Sequence, residues 1–117
     1  MQKERRKYPR AEFNLPIKIF DSVFDIVTET KDISGNGAYC SINENIEPMT
    51  KLGLTLLVPV QKKGKKVLHK VICQGVVVRK EYIRINGKNA YNIGIFFNDI
   101  KDNDRKIIVS YVNSGTA

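Results

Sequence analysis

The sequence predicts an all-β fold, a six-stranded antiparallel β-barrel carrying one C-terminal α-helix, and three observations lead there. Apolar residues alternate with polar ones at period 2 in successive stretches, which is how a strand with one buried face reads. Turn residues punctuate those stretches at short intervals, so that neighbouring strands run antiparallel. The period changes to that of a helix only once, after Asn98. Strands that each bury one face are satisfied by closing into a barrel, with the late helix at one end.

The first strand is carried by Leu15, Ile17 and Ile19, which alternate with Asn14, Pro16 and Lys18. Asp21-Ser22 is a turn, after which Phe24, Ile26 and Thr28 face one way and Asp25, Val27 and Glu29 the other, up to about Lys31. Asp32 to Gly37 reads as a turn, and a short third strand follows with Ala38, Cys40 and Ile42 on one side. A polar loop from Asn43 to Lys51 holds Pro48, which would interrupt a ladder. Leu52 to Val60 is the fourth strand, apolar on both faces toward its end and so expected to be buried there. The fifth runs from about Lys66 to Ile85, with Gly75 marking a bulge or bend. Asn86-Gly87 is a two-residue hairpin signal, because both positions tolerate positive φ. The sixth strand returns with Tyr91, Ile93, Ile95 and Phe97 on one face. From Asp102 to Asn113 the pairs Ile107/Tyr111 and Ile108/Val112 recur at i, i+4, with Asp99 or Asp102 placed to cap the start and Gly115 just past the end.

The chain has 117 residues, 42% of them hydrophobic, with five Phe, five Tyr and no Trp. A chain of this length buries about two thirds of its unfolded surface, enough for one core without metal or disulfide staples. Leu52 to Val60 is the longest nearly unbroken apolar stretch, far too short to span a membrane as a helix. The basic start has no apolar segment behind it, unlike a signal peptide, and the expected location is the cytoplasm. Cys40 and Cys73 are accordingly expected to be reduced, half-buried strand thiols rather than a bridge. The only histidine, His69, lies in a lysine-rich stretch, so neither a Cys/His metal cluster nor Cys/His catalysis has residues to stand on. Walker, GxGxxG and GxSxG patterns are absent, and the chain reads as a non-enzyme without a cofactor.

The formal net charge is +8, and its placement says more than its size. Met1 to Arg10 holds Lys3, Arg5, Arg6, Lys7 and Arg10 against Glu4, a net of +4. Lys62 to Lys80 holds six lysines and Arg79 with no acid, a net of +7, so the remainder is −3. Concentrated basicity points to anionic partners. For Lys62, Lys63, Lys65 and Lys66 a plainer reading is a solvated hairpin tip whose charges discourage edge pairing.

Two patterns carry chemistry. Arg6 and Arg10 form an RxxxR spacing, and Pro9 disfavours helix at Tyr8, so the segment is extended and its guanidiniums lie up to about 13 Å apart. That span suits a dinucleotide-sized ligand. A planar guanidinium bonds phosphate or the O6/N7 edge of guanine bidentately and also stacks on a base. The second pattern is Asp32-Ile33-Ser34-Gly35-Asn36-Gly37, a DxSxxG. An aspartate accepts from guanine N1 and N2, a serine hydroxyl bonds phosphate or a base edge, and Gly37 lets a ligand approach the backbone. Taken alone this pattern also reads as an ordinary turn. At average residue usage RxxxR arises by chance about 0.3 times in such a chain and DxSxxG about 0.03 times, so the two together are rare.

RRKYPR at 5–10, followed by a strand and then DISGNG at 32–37, resembles the RxxxR and (D/N)xSxxG signature of PilZ domains, bacterial receptors for cyclic di-GMP. QGVVVRK at 74–80, YNIGIFF at 91–97 and the terminal DNDRKIIVSYV segment fall where such domains place their late strands and helix. The resemblance implies a six-stranded barrel, in agreement with the periodicity. It implies that Arg6 and Arg10, in a flexible arm of residues 1–13, bind guanine and phosphate, while Asp32, Ser34 and Gly37, with Gly35 beside them, hold the ligand from the barrel of residues 14–117. Arg5, before the RxxxR, implies a stacked pair of cyclic di-GMP molecules. Arg79 lies where many relatives carry a tryptophan, and is either a purine-stacking substitute or an exposed strand arginine.

The function expected from this is a switch, in which a dianionic ligand orders the arm over the barrel and changes a surface that an effector protein reads. Two rivals are a PilZ-like adaptor that does not bind nucleotide and a small basic nucleic-acid-binding barrel. The latter usually interleaves exposed aromatics with basic residues, whereas only Tyr8 lies within the basic arm.

Overall fold

The computed structural model describes residues 14–116. Arg5, Arg6 and Arg10, and with them the expected arm of residues 1–13, lie outside the described residues. Six strands, β1 (Pro16–Phe20), β2 (Asp25–Ile33), β3 (Gly37–Ile42), β4 (Lys51–Lys62), β5 (Lys65–Ile85) and β6 (Lys88–Asp99), precede one helix, α1 (Asp102–Thr116). Every pairing is antiparallel, and the order β1-β2-β3-β6-β5-β4 closes into a barrel because β1 also pairs with β4, Ile17 opposite Leu56 and Ile19 opposite Leu54. The fold class read from the alternating pattern is therefore the one observed.

Alternation places the core. Ile17 and Ile19 of β1, Leu52, Leu54, Leu56 and Val58 of β4, Val71, Cys73 and Val77 of β5, and Ile93, Ile95 and Phe97 of β6 point inward and are buried. Ile108 and Val112, one helical turn apart on α1, join the same cluster. Burial of this apolar surface is the main favourable term in folding, about 25 cal/mol per Å² removed from water.

Four details differ from expectation. β4 buries one face only, with Thr55, Leu57 and Pro59 half-buried, because a single-layered barrel leaves the outer face of each strand to solvent. Asp32 and Ile33 belong to β2 rather than to the turn, and are paired with Tyr39 and Ala38. Asp99 ends β6 instead of capping the helix, while Asp102 and Asp104 place negative charge in the first turn, where it complements the helix dipole. The helix also runs past Gly115 to Thr116.

Two hairpins extend from the barrel. Asn86 and Gly87, at φ 52° and 78°, link β5 to β6. Lys63 and Gly64, at φ 51° and 77°, link β4 to β5 in the same way, with Gln61 to Leu68 exposed throughout. The lysine-rich segment is thus the tip of a solvated ribbon.

Candidate functional site

The DxSxxG segment folds as a three-residue turn between β2 and β3, and its backbone is held from several sides. The Ser34 amide donates to the Gly37 carbonyl at 2.9 Å, and the Asn36 amide donates to Ser34 Oγ at 3.2 Å. Asn36 in turn accepts from the Phe97 amide of β6 at 2.8 Å. From the far side, Arg105 Nε of α1 donates to the Gly35 carbonyl at 3.1 Å. Asp, Ser, Gly and Asn suit such a turn because short polar side chains satisfy neighbouring amides.

Gly37 has a structural cause besides any ligand. A Cβ there would strike the Ile95 carbonyl, so only glycine lets β3 approach β6 at that point. The expectation that Gly37 serves close ligand approach is joined by this internal requirement.

Around the turn lies an open cleft of about 230 Å³, lined among others by Asp32, Ser34, Gly37, Tyr39, Arg79 and Phe96. Four of the residues singled out in the sequence, Asp32, Ser34, Gly37 and Arg79, therefore meet at one place although Arg79 is far along the chain. Gly35, expected beside them, does not line the cleft; its carbonyl accepts from Arg105 of α1. Ser34 is buried and its oxygen already accepts from Asn36, which leaves the hydroxyl proton to be donated.

Arg79 reaches the cleft through a register shift. Val77 pairs with Ile95 and Arg79 with Gly94, so Val78 is an extra residue in β5 and the ladder is bulged. The guanidinium lies 5.4 Å from the centre of the Tyr39 ring. Tyr39, Gly94 and Phe96 were not singled out in the sequence. Their signal was the alternation itself, since Tyr39 falls between buried Ala38 and Cys40 and must face outward.

Electrostatics below the cleft act on Cys40. Burial, assisted by the Asp32 carboxylate, pushes its thiol pKa up to about 12. Burial, with Asp104 and Asp99 nearby, does the same to Cys73. Both cysteines are free and buried. Among the described residues no group of three or more His, Cys, Asp and Glu is placed to hold a metal ion. No described helix is long and apolar enough to cross a membrane. A larger hollow of about 640 Å³ runs along the outer side of α1, between Asp102 and Ser114, but holds none of the candidate ligand-binding residues.

The model of the PilZ domain matches residues 4–114 of the chain, a range that includes the RxxxR and DxSxxG patterns and most of the helix. The chain belongs to the PilZ domain family. Solved structures of similar fold accompany this match. The Bacillus subtilis inhibitor of motility MotI/DgrA superposes with a TM-score of 0.79 at 17% identity, over 97% of this chain and 52% of that one. K. pneumonia MrkH in its complex with c-di-GMP gives 0.64 at 15% identity, over 97% of this chain and 53% of that one. The PilZ domain of Escherichia coli YcgR with c-di-GMP gives 0.63 at 7% identity, over 97% and 95%. At these identities the likeness is one of fold, and the chain spans about half the length of the MotI and MrkH chains. Among curated proteins nothing matches it.

Proposed function

We propose that this PilZ domain is a cyclic di-GMP receptor and adaptor of bacterial second-messenger signalling, acting in the cytoplasm without catalysis. The observation that carries the reading is the convergence of Asp32, Ser34, Gly37 and Arg79 on one cleft beside a buttressed turn. The chemistry fits guanine and phosphate: Asp32 supplies an acceptor for guanine N1 and N2, Ser34 a donor, and Arg79 a cation. Arg5, Arg6 and Arg10 supply the remaining grip from the N-terminal segment, over the span that the RxxxR spacing allows an extended chain. Solved relatives in fold, MrkH and the YcgR PilZ domain, are described with c-di-GMP. Binding orders the arm across the barrel, a stacked pair of cyclic di-GMP molecules fills the space between them, and the altered surface is read by an effector protein.

Calorimetry with cyclic di-GMP, cyclic di-AMP and GMP tests this on the wild type and on Arg6→Ala. Cyclic di-GMP binds at micromolar affinity or better, and Arg6→Ala loses about 1.5–3 kcal/mol, the scale of a charged hydrogen bond. Absence of heat with cyclic di-GMP sinks the receptor reading in favour of an adaptor that does not use nucleotide. Equal, steeply salt-dependent binding of random single-stranded DNA or RNA favours the nucleic-acid-binding barrel instead.

A further inference from the structure

One outward-facing row crosses the cleft, and four strands build it. Asp32 of β2 is the cross-strand partner of Tyr39 of β3. Tyr39 is the partner of Gly94 of β6, and Gly94 of Arg79 of β5. Neighbouring strands lie about 4.8 Å apart, so the row extends over roughly 14 Å.

Three separate features bring Tyr39 and Arg79 together within it. The β-bulge inserts Val78 and so sets Arg79, not Val78, opposite Gly94. Gly94 leaves the space between them open, since a Cβ there would lie 3.3 Å from Arg79 Cβ and 4.0 Å from Tyr39 Cδ1. Across that gap the guanidinium sits 5.4 Å from the ring centre. Arg79 is exposed and Tyr39 half-buried, so the pair is open to the cleft both residues line.

We infer that Tyr39 is a ligand-contacting residue, and that Tyr39 and Arg79 together form one stacking platform for a purine ring of a cyclic dinucleotide. The inference rests on the receptor reading above and deepens it. A free arginine on a strand samples many rotamers, and ordering it costs entropy at the moment of binding. The Tyr39 ring restricts the guanidinium beforehand, so part of that cost falls on folding instead. Every base presents a π face to which an aromatic ring or a guanidinium is attracted. Selectivity enters at the next position in the row. Asp32, directly opposite Tyr39, is an acceptor suited to the N1 and N2 donors that guanine has and adenine lacks.

The test is calorimetry with cyclic di-GMP on the wild type, Tyr39→Phe, Tyr39→Ala, Arg79→Ala and the Tyr39→Ala/Arg79→Ala double variant, each shown to be folded by thermal melting. Tyr39→Phe keeps the ring and binds as the wild type does. Tyr39→Ala and Arg79→Ala each bind about five- to tenfold more weakly, the scale of a partly desolvated cation–π contact. Because the two act as a unit, the double variant loses clearly less than the product of the single losses. Should Tyr39→Ala unfold, Tyr39→Leu keeps the bulk without the π face and must show the same loss. A folded Tyr39→Ala that binds as tightly as the wild type, or a double variant that loses the full product, overturns the platform while leaving the receptor reading standing. Absence of binding by the wild type ends the receptor reading, and the platform with it.

Discussion

Arg105 Nε donates to the carbonyl of Gly35 at 3.1 Å, a bond that joins α1 to the DxSxxG turn across 70 residues of chain. The turn therefore has the cleft on one side and the helix on the other. Arg105→Ala leaves that carbonyl to find another donor and removes a charge-assisted bond, costing about 1–2 kcal/mol in a partly buried setting. Denaturant unfolding checks the loss. On the receptor reading, cyclic di-GMP affinity is expected to fall in the same variant, because the turn that carries Ser34 is no longer held. Unchanged stability together with unchanged affinity would show that the helix does not support the turn.

Gly37→Ala is expected to be far more damaging than its size implies. The added methyl meets the Ile95 carbonyl, a backbone atom within the β3–β6 ladder that has no room to move without breaking pairing. Gly64 provides the contrast: its φ is +77°, yet a Cβ there meets nothing within 4 Å. Gly64→Ala costs about 1 kcal/mol of left-handed strain, and Gly37→Ala more than about 2 kcal/mol or the fold itself. Chemical denaturation of the two variants side by side decides the point, and equal losses would refute the backbone clash.

The strands could be read in the sequence because each barrel strand has one dry face, and a period of 2 in apolar residues is the direct consequence. Asn86-Gly87 could be read because positive φ selects those residue types. Ser34 of the β2–β3 turn, Asp32 and Gly37 at the strand ends that flank it, and Arg79 of β5 were visible as types, and their meeting at one cleft gives them a common place. What stayed hidden depends on closure. The Tyr39–Gly94–Arg79 row exists only once β3, β6 and β5 are aligned in a register that the bulge at Val78 shifts by one residue, and Val77-Val78-Arg79 carries no glycine to announce it. The hydrogen bond from Arg105 to Gly35 and the contact between His69 and Asp104 likewise need the helix in place before either partner means anything.

His69, read in the sequence only as one residue of a lysine-rich stretch, fastens the helix to the barrel. Its Nε2 lies 3.0 Å from Asp104 Oδ1, and Asp104 is 9% exposed. A carboxylate so enclosed depends on its donor. His69→Ala removes the donor and destabilises the fold by about 1–3 kcal/mol, whereas His69→Gln, which keeps an N–H at similar reach, recovers part of the loss. Denaturant midpoints of the two variants measure this, and equal midpoints for His69→Gln and His69→Ala would mean that packing rather than the hydrogen bond matters.

The two buried thiols make stability depend on alkaline pH in a known direction. Cys40 and Cys73 are each raised from an unfolded value near 9.0 to about 12, chiefly by burial. A thiol whose folded pKa lies above its unfolded one favours the native state fully below the unfolded pKa, because only the unfolded chain releases the proton above it. Stability therefore holds up to about pH 9 as far as these groups are concerned and falls as pH rises from there toward 12. Replacing either cysteine by alanine flattens that decline, although the cavity lowers stability at neutral pH. The same burial protects the sulfurs chemically, since the thiolate is the reactive form. A thiol reagent at pH 8 is expected to label neither cysteine in the native protein and both in denaturant. Rapid labelling of native Cys40 would show that the core beneath the cleft opens, and would remove the basis for the alkaline decline.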